Sequence, residues 1–331
     1  MAVLKAVLKM DKKNLRAFSI LAIYFALIAA FAGWVVSSRV ARADRVQRVL
    51  ESKDCPNCDL DGVTMRSANL QEANLEDVTL RGANLGQANL REAALSRAIL
   101  SEANLAKANL NGAVLSEAIL SSVDLTEANL IEAKLDDTYL GDSKLQKANL
   151  GGADISGADL IRANLSNAIL RDANLGEVDL SRTDLHSADF RRAYLGNANL
   201  RNAKLEEANL SRAIVSRADL TRAKLRKANL RDSNFSSALL IRADLRNADL
   251  TGAFLAETDL SGANLSGAIL EGVNLARADL RDANLTGANL KGVNLRRANL
   301  SGANLQGVDL SSAKLCKTTL PDGSIDNRDC N

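Results

Sequence analysis

Histidine, proline and aromatic residues are scarce in this sequence, which has one His, two Pro and 3% Phe, Trp and Tyr among its 331 residues. The single histidine, His186, occupies an outward position of the repeat described below, which favours a solvated surface side chain. Without it, no Ser-His-Asp or Cys-His arrangement and no histidine-based metal site can be assembled. Glycines spaced five apart lack the Lys-Ser/Thr of a phosphate-binding loop. We therefore predict no enzyme, no cofactor and no metal site.

A formal net charge of +2 hides an uneven distribution of charge along the chain. Residues 1–57 carry ten Lys/Arg against four Asp/Glu, residues 58–160 carry eight against sixteen, and residues 161–320 carry twenty-three against seventeen. The positive excess of the third segment is diluted over its length, and aromatic side chains for base stacking are nearly absent. Nucleic acid is therefore not an expected partner, and binding of polyanions by a basic face is the weakest functional hypothesis.

Residues 17–38 form a long apolar run, twenty-two residues without a charge. At a rise of ~1.5 Å per residue, a helix of this length reaches roughly 33 Å, enough to cross a bilayer core. Residues 1–16 are basic, and Trp34 lies near the far end, where an interfacial aromatic residue is expected. We predict a retained transmembrane helix at 17–38. A signal peptide cleaved at the Ala-x-Ala motif of Ala41 and Ala43 is the alternative.

An anchor of this kind usually delivers the following chain to the non-cytoplasmic side of the membrane. We therefore predict a single-pass membrane protein with the rest of the chain on that side. The orientation stays open, because arginines also flank the far side of the run. These are Arg39, Arg42, Arg45 and Arg48.

From residue 58 to residue 320 the sequence repeats with a period of five. Every position divisible by five from Leu60 to Leu320 is apolar, which makes 53 consecutive positions, 48 of them Leu. A small residue, mostly Ala, stands two positions earlier, and an Asn or Asp usually lies between the two. A strict period of five fits neither a helix nor a strand. It indicates a solenoid whose units bury their apolar side chains against their neighbours.

The segment "SGANLSGAILEGVNLARADLRDANLTGANL" resembles the A(D/N)LXX pattern of the pentapeptide-repeat family, and the resemblance covers residues 58–320. It implies an all-β fold, a right-handed, four-sided parallel β-helix with four pentapeptides per coil. On that geometry the array makes about thirteen coils and a rod of roughly 60 Å. The leading cysteine motif and the apolar N-terminus resemble cyanobacterial members of the thylakoid lumen or periplasm.

The array needs a cap at each end, because a terminal coil without a neighbour exposes unpaired backbone groups. Residues 39–57 are interpreted as a linker and N-terminal cap, and residues 321–331 as a C-terminal cap. The only two prolines, Pro56 and Pro321, stand just outside the array, where a missing backbone donor disturbs no ladder.

Four cysteines lie near the two ends of the array. The CPNC motif has the spacing of a zinc knuckle or a redox pair, but no further Cys or His lies near it in the sequence. Cys55 and Cys58 also fall at inward positions, so we interpret them as an end-cap pair, with a redox function as the alternative. Of the three pairings that four cysteines allow, Cys55–Cys58 with Cys316–Cys330 is expected, because a rod keeps its ends apart.

Residues twenty apart should stack on one side of the rod, and two sets of columns are unusual. A basic column contains Arg162, Arg182, Arg222 and Arg242. Apolar residues replace the usual Asn or Asp at Ile99, Ile119 and Tyr139 in one column, and at Ala94, Val114, Tyr194, Ile214 and Phe254 in the next. The arginines are interpreted as solvated, with an acidic protein surface or lipid headgroups as the alternative partner. The apolar columns are interpreted as a protein interface or a homodimer contact, with apolar residues merely tolerated on the surface as the alternative.

These observations favour a non-catalytic, membrane-tethered scaffold that binds a protein partner through the surface of the rod. The alternative, also suggested by the family resemblance, is a DNA-mimicking protein that interacts with a type II topoisomerase. Such proteins are acidic and usually dimeric through a C-terminal helix. This chain has a near-neutral array and no such helix, so the scaffold hypothesis is preferred.

Overall fold

The structure, a computed structural model, describes residues 27–32 and 43–330. Residues 27–32 and 43–52 are helical. Two short strands lie near the C-terminus, β1 (Thr318–Thr319) and β2 (Ile325–Asp326). The chain divides into two compact units, Met1–Glu51 and Ser52–Asn331, and most of the second unit consists of turns and single-residue bridges.

The prediction of a transmembrane helix over residues 17–38 is wrong. Only residues 27–32 of this stretch are described, and they are helical; the rest of the predicted span lies outside the described residues. Among residues 27–32 and 43–330, no helix is long and apolar enough to cross a membrane. The prediction rested on the length and apolar composition of the run, which meet the requirement for a span without showing that a spanning helix forms. The predicted single-pass localisation and the membrane as partner are corrected with it.

The second unit is a parallel β-helix with twenty residues per coil. Asn109 bridges Asn129, which bridges Asn149, and every such bridge is parallel. The N–H of Leu110 donates to the carbonyl of Asn129 at 2.7 Å, so each pentapeptide binds the one four units later. Four pentapeptides therefore make one coil with four sides. The β-helix part of the predicted fold is confirmed.

The interior contains two side chains from each pentapeptide. We number its positions 1 to 5, so that the residue divisible by five occupies position 5. Leu75 at position 5 and Ala73 at position 3 are fully buried, and the same holds along almost the whole array. Burial of each Leu contributes on the order of 1.5–3 kcal/mol. Stability thus accumulates from coil to coil without a single central core.

Positions 1 and 2 form the corners of the coil. The N–H of Ala73 donates to the carbonyl of Leu70 at 3.1 Å, and Glu72 has a φ of 58°. A positive φ at the third residue of such a turn defines type II. Position 2 repeats this conformation in non-glycine residues such as Arg162, although it costs roughly 1–2 kcal/mol for an L-residue. The corners are therefore held by the coil around them and not by local preference.

Position 4, which we call the rail position, points outward and caps the corner that follows. From Asn74 to Asn289, the N–H groups of positions 2, 3, 4 and 5 donate to backbone carbonyls, whereas the N–H of position 1 has no backbone acceptor. Each Asn or Asp at a rail position from Asp59 to Asp309 accepts this N–H through its Oδ1, at 2.8–3.4 Å. These Asx turns explain the Asn/Asp preference of the repeat.

The four sides of the coil are named faces A, B, C and D in chain order. Face A carries the rail residue Asp59, face B Thr64, face C Asn69 and face D Asn74, each continued by every twentieth residue. The corners take the names of the faces they join. On face C, the Nδ2 of Asn129 donates to the Oδ1 of Asn109 at 3.1 Å, so amides also stack between coils.

The C-terminal residues fold back onto the last coil. Strands β1 and β2 pair antiparallel, and Cys316 is disulfide-bonded to Cys330. The carboxylate of Asp329 accepts the N–H of Leu315 at 2.8 Å, and a guanidinium nitrogen of Arg328 donates to the carbonyl of Ala313 at 2.8 Å. We propose that this hairpin is the C-terminal cap, because it satisfies backbone groups of the terminal coil.

We expect Asn109→Ala to lower the free energy of unfolding by about 2 kcal/mol, and Asn289→Ala by about 1 kcal/mol. Asn109 makes one Asx bond and two amide bonds to neighbouring coils, whereas Asn289 makes the Asx bond to Lys291. Equilibrium denaturation followed by circular dichroism measures both. Equal losses would show that the amide ladder contributes nothing.

We expect Cys330→Ser to loosen the C-terminal hairpin without affecting the coils. A disulfide that closes a loop of about 15 residues contributes about 3 kcal/mol, and this bond joins residues 14 apart. Hydrogen exchange should speed up for amides of residues 315–330 alone. Cys58→Ser, which opens the bond to Cys55 at the other end, is the control and should leave those amides unchanged. Unaltered exchange in Cys330→Ser would contradict the cap.

Candidate protein-binding surfaces

Face A carries a stack of three apolar rail residues on successive coils. Ile99 bridges Ile119, and Ile119 bridges Tyr139. Ile119 is 37% exposed and Tyr139 is 56% exposed, while Ile99 is half-buried. Parallel coils lie ~4.8 Å apart, so the three side chains form a continuous apolar strip.

These residues do not stabilise the rod in the way that Asn or Asp does. Ser101, Ser121 and Gly141 follow them at position 1, and their backbone N–H groups donate no hydrogen bond to any residue that the structure describes. An Asx turn is therefore lost at three successive corners of the same column. An unmade bond of this type costs about 1 kcal/mol, less where water reaches the group. The apolar strip is thus maintained at the expense of stability.

Most charged side chains at the corners beside the strip are acidic; Arg97, which pairs with Asp77 at 2.7 Å, lies at the D/A corner next to Ile99. Glu102 lies at the A/B corner, and Glu117 and Asp137 lie at the D/A corner. None of the three forms an ion pair with another of the described residues. The strip is therefore an apolar centre with charged residues at its edges.

Face D carries the second predicted set of apolar residues, which the structure divides into two groups. Ala94 and Val114 bridge each other and lie beside the face A strip across the D/A corner. Tyr194 and Ile214 also bridge each other, four coils further along, and Phe254 follows after one intervening coil. Phe254 is 54% exposed, and Tyr194 and Ile214 are each 43% exposed.

The ring of Tyr194 lies flat on the D/A corner over two glycines. A methyl group built onto Gly196 would overlap the Tyr194 hydroxyl oxygen, and one on Gly176 would meet Cε1 at 2.9 Å. Both glycines are buried although they occupy corners. Sequence reasoning missed this arrangement; its signal was glycine at position 1 in two successive coils next to an aromatic rail residue.

Other apolar rail residues are isolated. Leu239 on face A is 39% exposed and Ile269 on face C is 40% exposed. Sequence reasoning missed Leu239 as an exposed residue, since it had no apolar neighbour in its column. Neither residue bridges another apolar rail residue, so neither extends a strip.

The repeat itself has a counterpart among known families. The family model named "Pentapeptide repeats" matches the chain in eight copies between residues 58 and 316. The chain belongs to the pentapeptide-repeat family. No protein of curated function matches it significantly.

Several solved pentapeptide-repeat structures are similar to this chain. HetL from the cyanobacterium Nostoc sp. strain PCC 7120, involved in heterocyst differentiation regulation, is 31% identical over 85% of this chain and 98% of its own, with a TM-score of 0.30. A pentapeptide repeat protein from the Arabidopsis thaliana thylakoid lumen is 39% identical over 31% of this chain and 68% of its own, with a TM-score of 0.22. QnrB1, a plasmid-mediated fluoroquinolone resistance protein, is 21% identical over 56% of this chain and 86% of its own, with a TM-score of 0.32. Because these TM-scores are low, family membership rests on the repeat match.

The predicted arginine column of this pentapeptide-repeat protein lies at the A/B corner. Arg162 reaches back one coil, where its Nε donates to Oδ1 of Asp142 at 2.7 Å. Arg182, Arg222 and Arg242 make no ion pair with the described residues. The column therefore contains one arginine in an ion pair and three arginines that form none with the described residues.

A shallow cleft of about 500 Å³ includes the last two of these arginines. Arg222, Arg242, Arg201 and Arg281 line it, with Thr221, Ile241, Ser261, Gly262 and Asp282. Arg201 pairs with Asp219 at 2.8 Å, and Arg281 donates to Asp279 at 2.9 Å. The carboxylates offset much of the positive charge in the cleft.

His186 lies in a cleft of about 380 Å³ together with charged residues of both signs. Its backbone N–H donates to Oδ1 of Asp184 at 3.2 Å, the same Asx bond as at other corners. Residues 27–32 and 43–330 contain no group of three or more His, Cys, Asp or Glu residues that could hold a metal ion. Cys55 is disulfide-bonded to Cys58, with Cα atoms 5.5 Å apart.

Ion pairs between coils lower the pKa of several aspartates. Arg97, Arg162 and Arg192 donate to Asp77, Asp142 and Asp172, with Nε–Oδ1 distances of 2.8, 2.7 and 2.6 Å. In each case the hydrogen bond from the guanidinium is the largest cause that lowers the pKa of the carboxyl group.

We expect the free energy of unfolding to fall in acid. The pKa values of these three aspartates are lower in the folded state than in the unfolded state, where they are about 4. The ion pairs therefore stabilise the fold fully above about pH 4, and this stabilisation is lost as the pH falls through the pKa values of the folded state. Urea denaturation at about pH 7, 4 and 3 measures the loss. Asp142→Asn should reduce the slope below about pH 4. Stability that is constant down to about pH 3 would contradict the assignment.

Proposed function

We propose that this pentapeptide-repeat protein is a non-catalytic scaffold that binds a protein partner through face A. The proposal rests on one observation, the exposed stack of Ile99, Ile119 and Tyr139. Apolar strips on a polar surface commonly mark protein interfaces. Tyr139 is the most exposed of the three, and tyrosine is enriched among residues that dominate binding energy.

The loss of Asx turns supports a role outside the rod. A rail residue that served the β-helix alone would be Asn or Asp, as it is at most positions of the array. Three apolar residues in one column give up three such bonds, at Ser101, Ser121 and Gly141. Contact with a partner supplies the compensating burial, since each apolar side chain removed from water contributes roughly 1.5–3 kcal/mol.

The acidic rim indicates the chemistry of the partner. Glu102, Glu117 and Asp137 lie at the corners beside the strip and form no ion pair with the described residues, whereas Arg97 at the same edge is held by Asp77. A complementary surface would have an apolar centre with Lys or Arg at its edge. Rim charges of this type act mainly on the association rate and on specificity.

Catalysis is not part of the proposal. The interior is filled by Leu and Ala, and the clefts on the outside are shallow and lined by solvated charges. An array of regular coils offers many equivalent corners and no single tuned pair of acid and base.

Site-specific photo-crosslinking tests the proposal. A photoreactive amino acid replaces Ile119, and the full chain is irradiated in the cells that express it. We expect a discrete adduct with one protein, and we expect Tyr139→Asp to reduce its yield at least about tenfold, since loss of such an anchor costs about 2 kcal/mol.

The control places the same photoreactive group at Ile269, which is equally exposed but isolated on face C. Tyr139→Asp should not disturb the coil, because Asp supplies the Asx acceptor that Tyr139 lacks. Adducts of equal yield at both positions, or an adduct insensitive to Tyr139→Asp, would contradict binding through face A.

A further inference from the structure

We propose that the cleft at the A/B corner binds a phosphoryl group, either inorganic phosphate or the phosphate of a small phosphomonoester. The cleft has a volume of about 500 Å³ and extends over five successive coils, from Arg201 to Arg281. The inference goes beyond the function proposed above, because the ligand is a small anion and not a protein. It rests on the donors that meet at the middle coil of the cleft, the coil of Ile241.

The middle corner of the cleft differs from the other four in its backbone. At those four corners, the N–H of position 1 donates to Oδ1 of a rail Asn or Asp at 2.9–3.2 Å. Ile241 follows the apolar rail residue Leu239, which has no acceptor, and its N–H donates to no residue that the structure describes. The centre of the cleft therefore contains a backbone donor that the rod does not use.

Two arginines beside this N–H also lack a partner within the rod. Arg242 follows Ile241 in sequence, and the backbone N–H of Arg222 donates to the carbonyl of Ile241 at 2.9 Å from the preceding coil. The ion pairs between coils join an arginine at position 2 to the carboxylate twenty residues earlier. That residue is Asn202 for Arg222, and Arg222 itself for Arg242. Stacked guanidinium groups repel each other, and an anion shared by the two relieves the repulsion.

The carboxylates along the cleft are engaged with other groups. Arg201 and Arg281, at the two ends of the cleft, each form an ion pair with a rail aspartate. Asp282 also lines the cleft, but a methyl group built onto Gly302 would overlap its Oδ1, so this carboxylate lies over the following coil. No ion pair among the described residues therefore balances the two central arginines.

The donors at the centre match a phosphoryl group. A guanidinium fork binds two phosphate oxygens at once, and free backbone N–H groups are common donors in anion sites. The side chain of Ser261, one coil after Ile241, lines the same cleft and adds a hydroxyl group. A methyl group built onto Gly262 would meet Cγ of Arg242 at 3.3 Å, so the arginine stem lies across this glycine. The volume is typical of small-molecule sites and leaves room for an organic substituent.

NMR titration of the full-length chain labelled with isotopic isoleucine tests the site. We expect the amide resonance of Ile241 to shift progressively with inorganic phosphate at constant ionic strength. The amides of Ile119 and Ile269, which lie on faces A and C away from the cleft, should not shift. Ile241→Val identifies the resonance by removing it. If neither inorganic phosphate nor phenyl phosphate shifts Ile241, the proposal is wrong.

The same titration on charge variants tests the arginines. Arg222→Ala with Arg242→Ala should raise the dissociation constant for phosphate at least about tenfold, because charge-assisted hydrogen bonds are lost. Arg212→Ala with Arg217→Ala is the matched control. It removes the same charge at the C/D and D/A corners, from two arginines without an ion pair among the described residues, and should change the constant less than about twofold. Equal weakening by both pairs would show attraction by net charge alone and would overturn the site.

Leu239→Asn tests the backbone donor while every arginine stays in place. The new Oδ1 accepts the N–H of Ile241, as at the other corners, so the dissociation constant should rise about five- to tenfold. The change adds an Asx bond to the fold, so weaker binding cannot result from unfolding. Ile269→Asn, the same type of change on face C, is the control and should leave phosphate binding unaltered. Unchanged affinity in Leu239→Asn would contradict the proposed site.

Comparison of the two probes distinguishes the sources of the phosphoryl group. Tighter binding of phenyl phosphate than of inorganic phosphate would assign a small phosphomonoester as ligand, and the reverse order would assign the free ion. Both results support the site, provided that the arginine variants weaken them. Leu239 lies five coils from Tyr139 on face A, so failure of this proposal leaves the crosslinking experiment at Ile119 unaffected.

Discussion

The register of the backbone hydrogen bonds between coils is the constraint on which the rest of this structure depends. Each pentapeptide pairs with the one twenty residues later, and no insertion interrupts that spacing from Leu60 to Leu300. The register places Leu and Ala inside on every coil and brings position 4 of each pentapeptide to the same line on the surface. Packing, corner geometry and the surface columns are all consequences of this one spacing.

The rail residues divide between two uses of the same position. Where Asn or Asp occupies it, the side chain closes the corner and, on face C, links neighbouring coils through amide bonds. Where Ile, Tyr or Phe occupies it, the corner loses that bond and the surface acquires an apolar patch. A change of the rail residue in one pentapeptide thus removes one stabilising bond and adds one apolar side chain to the surface. The effect stays local because each repeat contacts only its neighbours.

Much of the fold could be predicted from the period of five. The burial of Leu75 and Ala73 and the stacking of Ile99 on Ile119 follow from spacing alone, because a regular solenoid maps sequence distance onto position. The capping role of Asn109 could not be predicted, since the pattern shows only that a polar residue points outward. The ring of Tyr194 over Gly176 and Gly196 needed side-chain geometry. The transmembrane prediction for residues 17–38 rested on apolar composition alone, and no helix among the described residues is long and apolar enough to cross a membrane.

Because the corners of the coil are alike, the face on which a residue lies depends only on the number of pentapeptides that precede it. Loss of one whole coil would shorten the rod and leave every later residue on its face. Loss of a single pentapeptide would preserve the pattern of buried Leu and the backbone ladder, yet it would rotate all later rail residues by a quarter turn, so that Tyr194 and Phe254 moved from face D to face C. The fold would accept both changes, but the second would place the earlier and later residues of one surface column on different sides. In this protein the spatial relation between distant surface residues is therefore encoded by a count of repeats.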